Sequence, residues 1–257
     1  MSVKTADIDL INDADLYLQK SSELQESANW KGWKNLGETA SIATDKYVTY
    51  HIELCPRDFI FFGSGLADEN GDADMTTVKA KRIHWDSDSC GRMQEDLILI
   101  PASSLKGALR HRVAYNFNKI KQNFIDTKEG IPDTPQNEAV KALFGFADAD
   151  QQCGNVLFSD IIVDPDKQKT EAQTHLFNHV AIDRFTGGTI NGALFTEQAD
   201  YVYGQTYETD ILVRKDALTD PDIKAAWERT LDDLRNGLLP LGGGTNRGHG
   251  ILRKKEN

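Results

Sequence analysis

A chain of 257 residues with 39% hydrophobic content can bury a sizeable core, and its length leaves open one domain with insertions or two domains. Its formal net charge of −11 counts against a simple electrostatic binder of nucleic acid, because phosphate contacts come from Lys and Arg. The first residues lack the apolar stretch of a signal peptide, and no apolar run reaches the roughly 18 residues of a membrane helix. Cys55, Cys90 and Cys153 are an odd number at wide spacing. A cytoplasmic protein with no membrane association and no disulfide framework is expected.

Residues 1–46 are polar and acidic, with Trp30 and Trp33 in a weakly patterned stretch that reads as an appendage. From Tyr47, strict alternation puts Val48, Tyr50, Ile52 and Leu54 on one face of a strand, and the apolar run 59–62 reads as strand or turn. Residues 63–94 hold glycines and clustered Asp and Ser without sustained apolar periodicity. They predict one long loop of about thirty residues, a length that is usually functional or disordered. Residues 97–100 form a short buried-type strand stopped by Pro101. Ser103 or Ser104 can cap the helix that follows, whose apolar positions recur at Leu105, Leu109, Val113, Phe117, Ile120 and Phe124.

A loop with Pro132 and Pro135 leads to a short helix ending near Phe144 and Gly145, and residues 156–163 read as a strand. Residues 176–181 and 193–195 flank the polar turn Thr186-Gly187-Gly188-Thr189, which predicts a projecting hairpin. Tyr207, Thr209, Ile211 and Val213 alternate as a strand. Pro221 opens a helix with Ile223, Ala226, Trp227, Thr230, Leu231 and Leu234 on one face, and Gly237 closes it. Strands separated by two substantial helices, with hairpins between, predict an α+β fold rather than a doubly wound sheet.

Charge is distributed unevenly along this order. Between residues 76 and 124, nine cations (Lys79, Lys81, Arg82, Arg92, Lys106, Arg110, Arg112, Lys119 and Lys121) stand against four acids (Asp86, Asp88, Glu95 and Asp96). A basic middle in an acidic chain suits a protein whose basic face meets RNA while the rest meets solvent or other subunits. A solvated helix face is the other reading.

Two constellations carry chemistry. In Ile100-Pro101-Ala102-Ser103-Ser104-Leu105-Lys106-Gly107-Ala108-Leu109-Arg110, unpaired N–H groups and the positive end of a helix dipole disfavour Lys106 in the first turn by roughly 0.3–1 kcal/mol. An anion would relieve that. Gly107 costs about 1 kcal/mol relative to Ala, which close approach of a ligand backbone would explain. The segment reads as a phosphate cradle, or else as a capped helix with a surface lysine. In Gly242-Gly243-Gly244-Thr245-Asn246-Arg247-Gly248-His249-Gly250, dense glycines leave backbone N–H groups uncovered beside Arg247 and His249, which fits a phosphodiester chain. It is not a P-loop, since His249 and Gly250 replace the required Lys and Ser/Thr, and the Rossmann pattern fails at Arg247. A purely structural glycine turn is the alternative.

These two segments resemble the signatures of the RAMP (repeat-associated mysterious protein) superfamily of CRISPR effector subunits, the second being its glycine-rich loop. Leu143-Phe144-Gly145 with Val156-Leu157-Phe158-Ser159-Asp160, and Ile182-Asp183-Arg184-Phe185-Thr186-Gly187-Gly188 with Ala193-Leu194-Phe195, are similar in order and spacing to the backbone subunit of type III effectors. The resemblance covers about residues 47–252. Residues 1–46 lie outside it as an extension, and 47–257 form the RAMP domain. Ala102 stands where the family more often has Gly.

The resemblance implies a modified ferredoxin-like (RRM-like) palm with long loop insertions and a β-hairpin thumb, around residues 183–195, that interrupts the guide–target duplex. It further implies copies stacked along a guide RNA, contact with target RNA and other RAMP subunits, and target cleavage by a loop aspartate with a divalent metal such as Mg2+. Carried over by position, Ser104, Lys106, Arg110, Arg112 and Arg247 contact RNA. His249, Thr186 on the thumb and the basic run Lys79, Lys81 and Arg82 join them. The family position of the aspartate falls near Ala80, a departure, so Asp74 or Asp72 takes the role through a longer loop, or the subunit binds without cutting. Asp68, Asp86 and Asp88 share that loop, and a merely solvated acidic loop is the bland reading.

Three functions remain open at this stage. They are an RNA-guided endoribonuclease subunit, a non-catalytic RNA scaffold or capping subunit, and a metal-independent endoribonuclease that processes precursor repeat RNA. His175 and His179 lack the partners of a tetrahedral zinc site. His51 sits among strand residues as a polar-face side chain.

Overall fold

The structure, a computed structural model, describes residues 3–5, 34–36, 46–67, 70–85, 91–123, 137–147, 152–162 and 173–254. Trp30, Trp33, Cys90, Phe124, Pro132, Pro135 and Val163 lie outside the described residues. The chain divides into two compact units, Met1–Asp45 and Lys46–Asn257. In the first, β1 (Val3–Thr5) pairs antiparallel with β2 (Lys34–Leu36).

The second unit begins with β3 (Tyr47–Pro56) and β4 (Phe59–Ile60). A hairpin of β5 (Lys79–Trp85) and β6 (Gly91–Ile100) follows, then α1 (Ala102–Lys121) and α2 (Glu138–Phe144). Strands β7 (Val156–Leu157), β8 (Ile161–Ile162), β9 (Gln173–His179), β10 (Phe195–Tyr201) and β11 (Tyr207–Arg214) lead to α3 (Pro221–Arg235) and β12 (Leu252–Arg253). Among the described residues of this unit, three antiparallel sheets result, ordered β12-β3-β11-β7, β5-β6-β8 and β4-β10-β9. The mixture of antiparallel sheets and helices is the expected α+β class.

Alternation builds the central pair. Tyr207, Thr209, Ile211 and Val213 of β11 are buried while their neighbours are not, and β3 buries Ile52 and Leu54. The α1 residues Leu105, Leu109, Val113 and Phe117 and the α3 residues Trp227, Leu231 and Leu234 join them in one core cluster. Each such side chain contributes about 1.5–3 kcal/mol on burial. Helix α3 starts as its sequence specifies, with Pro221 at its first turn and Asp220 Oδ1 accepting from the N–H groups of Asp222 and Ile223.

Two expectations need correction. Residues 63–94 are not one loop, because β5 occupies part of them and pairs with β6. Its alternation is invisible in sequence because much of this hairpin, including Ile83 and Met93, is exposed on both sides, so no apolar face is selected. A register shift between Ala80 and Arg82, with Asp96 at φ +56 on the facing strand, marks a bulge. Nor do residues 156–163 form one strand. Val156 and Leu157 pair with β11, Ile161 and Ile162 pair with β6, and the chain crosses between sheets at Ser159 and Asp160.

Between α1 and α3, Arg112 Nε donates to Asp233 Oδ2 at 2.7 Å, and Asn116 Nδ2 donates to the same oxygen at 3.0 Å. Burial alone would raise the Asp233 pKa, but these two donors hold its carboxyl below the ordinary carboxylate range. Arg112→Met leaves that half-buried carboxylate short of a donor and is expected to cost about 1–3 kcal/mol, read as a lower urea midpoint.

Candidate nucleic-acid interface

Helix α1 starts without its own cap. Pro101 occupies the N-cap position and Ser103 and Ser104 lie inside the helix, so neither serine caps it as expected. Asp160, brought in by the crossing between β7 and β8, instead accepts the Ala102 N–H at 2.7 Å. The first turn contains no acid of its own. With Ala102 as the first helical residue, Lys106 is exposed at the beginning of the second turn rather than within the first. A Cβ at Gly107 would meet nothing within 4 Å, so packing inside the protein does not require this glycine.

The glycine-rich loop is shaped by backbone contact. Gly243 donates its N–H to Phe61 O at 2.7 Å and Gly250 donates to Phe59 O at 2.8 Å, which lays the loop along β4 and the residue after it. Gly242 and Gly250 have φ of +88 and +73, and a Cβ would stand 2.4 Å from Phe61 O and 1.9 Å from Leu241 O respectively. Those two glycines are therefore structural. The N–H groups of Arg247 and His249 turn back to Gly244 O, so fewer donors are left uncovered than the composition suggests.

The two constellations meet. A cleft of about 460 Å³ is lined by Pro101, Ser104 and Ala108 of the α1 start and by Pro240, Gly242, Gly243 and Thr245 of the loop. Phe61, Phe62 and Gly63 complete it. Segments more than a hundred residues apart in sequence thus share one groove, within the size range of ligand sites. Neither Lys106 nor Arg110 of α1 lines it; Lys106 is exposed, and Arg110 is half-buried with its Nε shielded from solvent and without a hydrogen-bond partner among the described residues.

Other predicted contacts are engaged inside the protein. Arg112, expected to contact RNA, is engaged by Asp233 as the α1–α3 strut described above. Lys79 Nζ donates to Asp200 Oδ1, a carboxylate 2% exposed that also accepts from Thr77 Oγ1 at 2.8 Å. Lys81 pairs with Glu95 at 2.9 Å and Arg82 with Gln94, both across the β5–β6 ladder, so the basic run is largely matched by its partner strand. Arg247 Nη2 donates to both carboxylate oxygens of buried Glu197, at 2.8 and 3.1 Å, and its Nη1 lies 3.2 Å from His179 Nδ1. His249, expected to offer donors to phosphate, is buried beneath the loop against Phe59 and Phe177. Burial lowers its pKa, and Arg247 and His179 push the same way against Glu197 and Asp58.

Asp72 is exposed. Asp74 is also exposed, and its Oδ2 accepts the Thr196 N–H at 2.8 Å while its own N–H donates to Thr196 O. It sits on a hairpin-like segment whose other limb carries Gly63, a cleft residue that bridges to Thr77. Asp68, Asp86 and Asp88 lie outside the described residues. Among the described residues no group of three or more His, Cys, Asp or Glu could hold a metal ion. Because Mg2+ is commonly held by one or two carboxylates with water and substrate phosphates, Asp74 fits as a single ligand and not as part of a protein cage.

The β9–β10 hairpin forms as the turn signals predict, with His179 opposite Phe195 and Ile182 bridged to Thr189. Thr186 Oγ1 accepts the Gly188 N–H, and Asp183 Oδ1 accepts the Phe185 N–H. Phe185 is fully exposed at the turn. Sequence reasoning missed Phe185, Asp160 and Glu197 as site residues. The first two stand inside segments already singled out, but Glu197, one acid in a strand, carries no local signal.

The arrangement is that of an α+β protein whose helix start and glycine-rich loop share one groove. The profile of the RAMP superfamily matches residues 93–253, which take in both segments, and the chain belongs to that superfamily. No curated protein matches it. No helix among the described residues is long and apolar enough to cross a membrane.

The lowered His249 pKa sets a pH dependence. A group held neutral in the fold contributes stability that is present above its unfolded value of about 6.5 and is lost as pH falls through the lowered folded value. The urea midpoint is expected to drop as pH falls below about 6.5, and to drop less in His249→Gln; parallel pH profiles for the two proteins would contradict this.

Proposed function

We propose that the chain is a guide-RNA-binding backbone subunit of a type III CRISPR effector complex that also cleaves guide-paired target RNA. The observation that carries this reading is the convergence of Ser104 and Thr245, from the two superfamily segments, on one cleft. RNA phosphates lie along that cleft, near the dipole end of α1, with Lys106 and Arg110 as the cations on the same helix. Arg247 acts through its ion pair with Glu197, which holds the glycine-rich loop to β10. The β9–β10 hairpin serves as the thumb, with Phe185 and Thr186 at its tip to part the duplex. Other RAMP subunits of the assembly are the protein partners.

For cleavage, Asp74 is the first choice and Asp72 the second. The Thr196 N–H fixes one Asp74 oxygen and thereby aims the carboxylate. A bound Mg2+ would supply charge that activates an RNA 2′-hydroxyl or stabilises the departing oxygen. A non-catalytic scaffold is the second reading. It is favoured by the basic strand β5 at the family position of the aspartate and by the lack of a carboxylate cluster among the described residues.

Lys106→Ala with Arg110→Ala is expected to weaken guide-RNA binding alike for all sequences and to lower the salt-dependence slope by about one unit per lost contact. Unchanged affinity and slope in the folded double variant would remove the α1 surface from the interface. Asp74→Ala, and to a lesser degree Asp72→Ala, is expected to abolish chelator-sensitive cutting of paired target while leaving guide binding within about twofold, a difference under the roughly 1.4 kcal/mol of a tenfold change. Cutting that persists in the combined variant assigns the nuclease to another subunit, and cutting that persists with chelator favours metal-independent processing.

A further inference from the structure

One face of the β4-β10-β9 sheet is lined with rings. The registers Tyr201↔Phe59, His179↔Phe195 and Glu197↔Phe177 place Phe59, Tyr201, Phe195, His179, Phe177 and His175 on the same side. The rings touch in sequence across the sheet, with Phe59 to Tyr201 at 5.1 Å, Phe59 to Phe177 at 5.0 Å and Phe177 to His175 at 4.6 Å between centroids. At the inner end His249 of the glycine-rich loop covers them, 5.2 Å from Phe177. At the outer end nothing among the described residues covers them. His175 is exposed, Tyr201 is 37% exposed, and Tyr203, stacked on Tyr201 at an interplanar angle of 20°, is 61% exposed.

A satellite core under a loop would end where the loop ends, yet this ring array continues past the glycine-rich loop into solvent. Among the described residues, its one buried carboxylate on the ring side, Glu197, is matched by Arg247, and the other polar groups among the rings are the imidazoles of His175, His179 and His249. Such a surface does not repel a phosphodiester and offers flat π-faces, the combination that holds single-stranded nucleic acid irrespective of sequence.

We propose that this face is a base-stacking strip for single-stranded RNA, on which unpaired bases stack against His175, Tyr201 and Tyr203 where the strand leaves the glycine-rich loop. The proposal rests on reading the cleft as an RNA-phosphate site, and adds base contacts on a separate sheet. Stacking depends on bases and the cleft depends on phosphates, so the two separate experimentally.

The test compares binding of a short oligoadenylate with that of the same ribose–phosphate strand lacking bases, using the full chain. The wild-type protein is expected to prefer the strand with bases, and Tyr201→Ala with Tyr203→Ala to lose about 5- to 150-fold in affinity for that strand per stacked base while binding the abasic strand as before. Tyr201→Phe with Tyr203→Phe, which keeps the rings, retains the preference. Should the alanine pair fail to fold, His175→Ala at its exposed position gives the same readout. Equal binding of the two strands by the wild-type protein, or an alanine pair that keeps the preference, overturns the proposal. So does an alanine pair whose only effect is on self-association, which assigns the face to protein contact. Lys106→Ala with Arg110→Ala, by contrast, lowers binding of both strands alike. If that pair has no effect while the tyrosine pair does, the cleft reading falls and the stacking strip stands.

Discussion

The approach of the glycine-rich loop to residues 59–61 is the constraint on which the rest of the site depends. Side chains at Gly242 and Gly250 would collide with the carbonyls of Phe61 and Leu241, and the N–H groups of Gly243 and Gly250 are spent on Phe61 and Phe59. Backbone pressed on backbone fixes Thr245 and Gly243 opposite the first turn of α1. The same short segment sends Ile60 and Phe62 into the core and Phe59 beneath His249. Core, loop and cleft therefore share one strand, and a change that lifts the loop disturbs all three.

Electrostatics follow from this packing. An acidic chain keeps several of its central cations for itself, with Lys79 on Asp200, Arg112 on Asp233 and Arg247 on Glu197. Such pairs register elements against each other and contribute little net charge to a surface. The α1 start differs, because it contains no acid in its first turn and presents Lys106 to solvent. A local field can thus favour an anion in a protein whose overall charge does not.

Much of the fold is legible in the sequence where one face of an element is buried. The α3 face from Ile223 to Leu234 and the alternation of β11 agree residue by residue with burial, because packing imposes a period there. Strand β5 was not legible, since a ribbon exposed on both faces imposes no period. The site divides in the same way. The glycine-rich loop carries local backbone demands that single out Gly242 and Gly250. Which cations are free for a ligand depends on partners far along the chain, and neither Glu197 beneath Arg247 nor Asp233 beside Arg112 can be read from neighbouring residues. The cap at Asp160 is of that kind too, for it reaches α1 only because the chain changes sheets there.

The most direct measurement is amide hydrogen exchange of the full chain with and without saturating guide RNA. If the two superfamily segments form one phosphate site, residues 102–105 and residues 242–247 gain protection together, at the same RNA concentration. RNA that saturates the protein while exchange in both segments stays as it was would contradict the account.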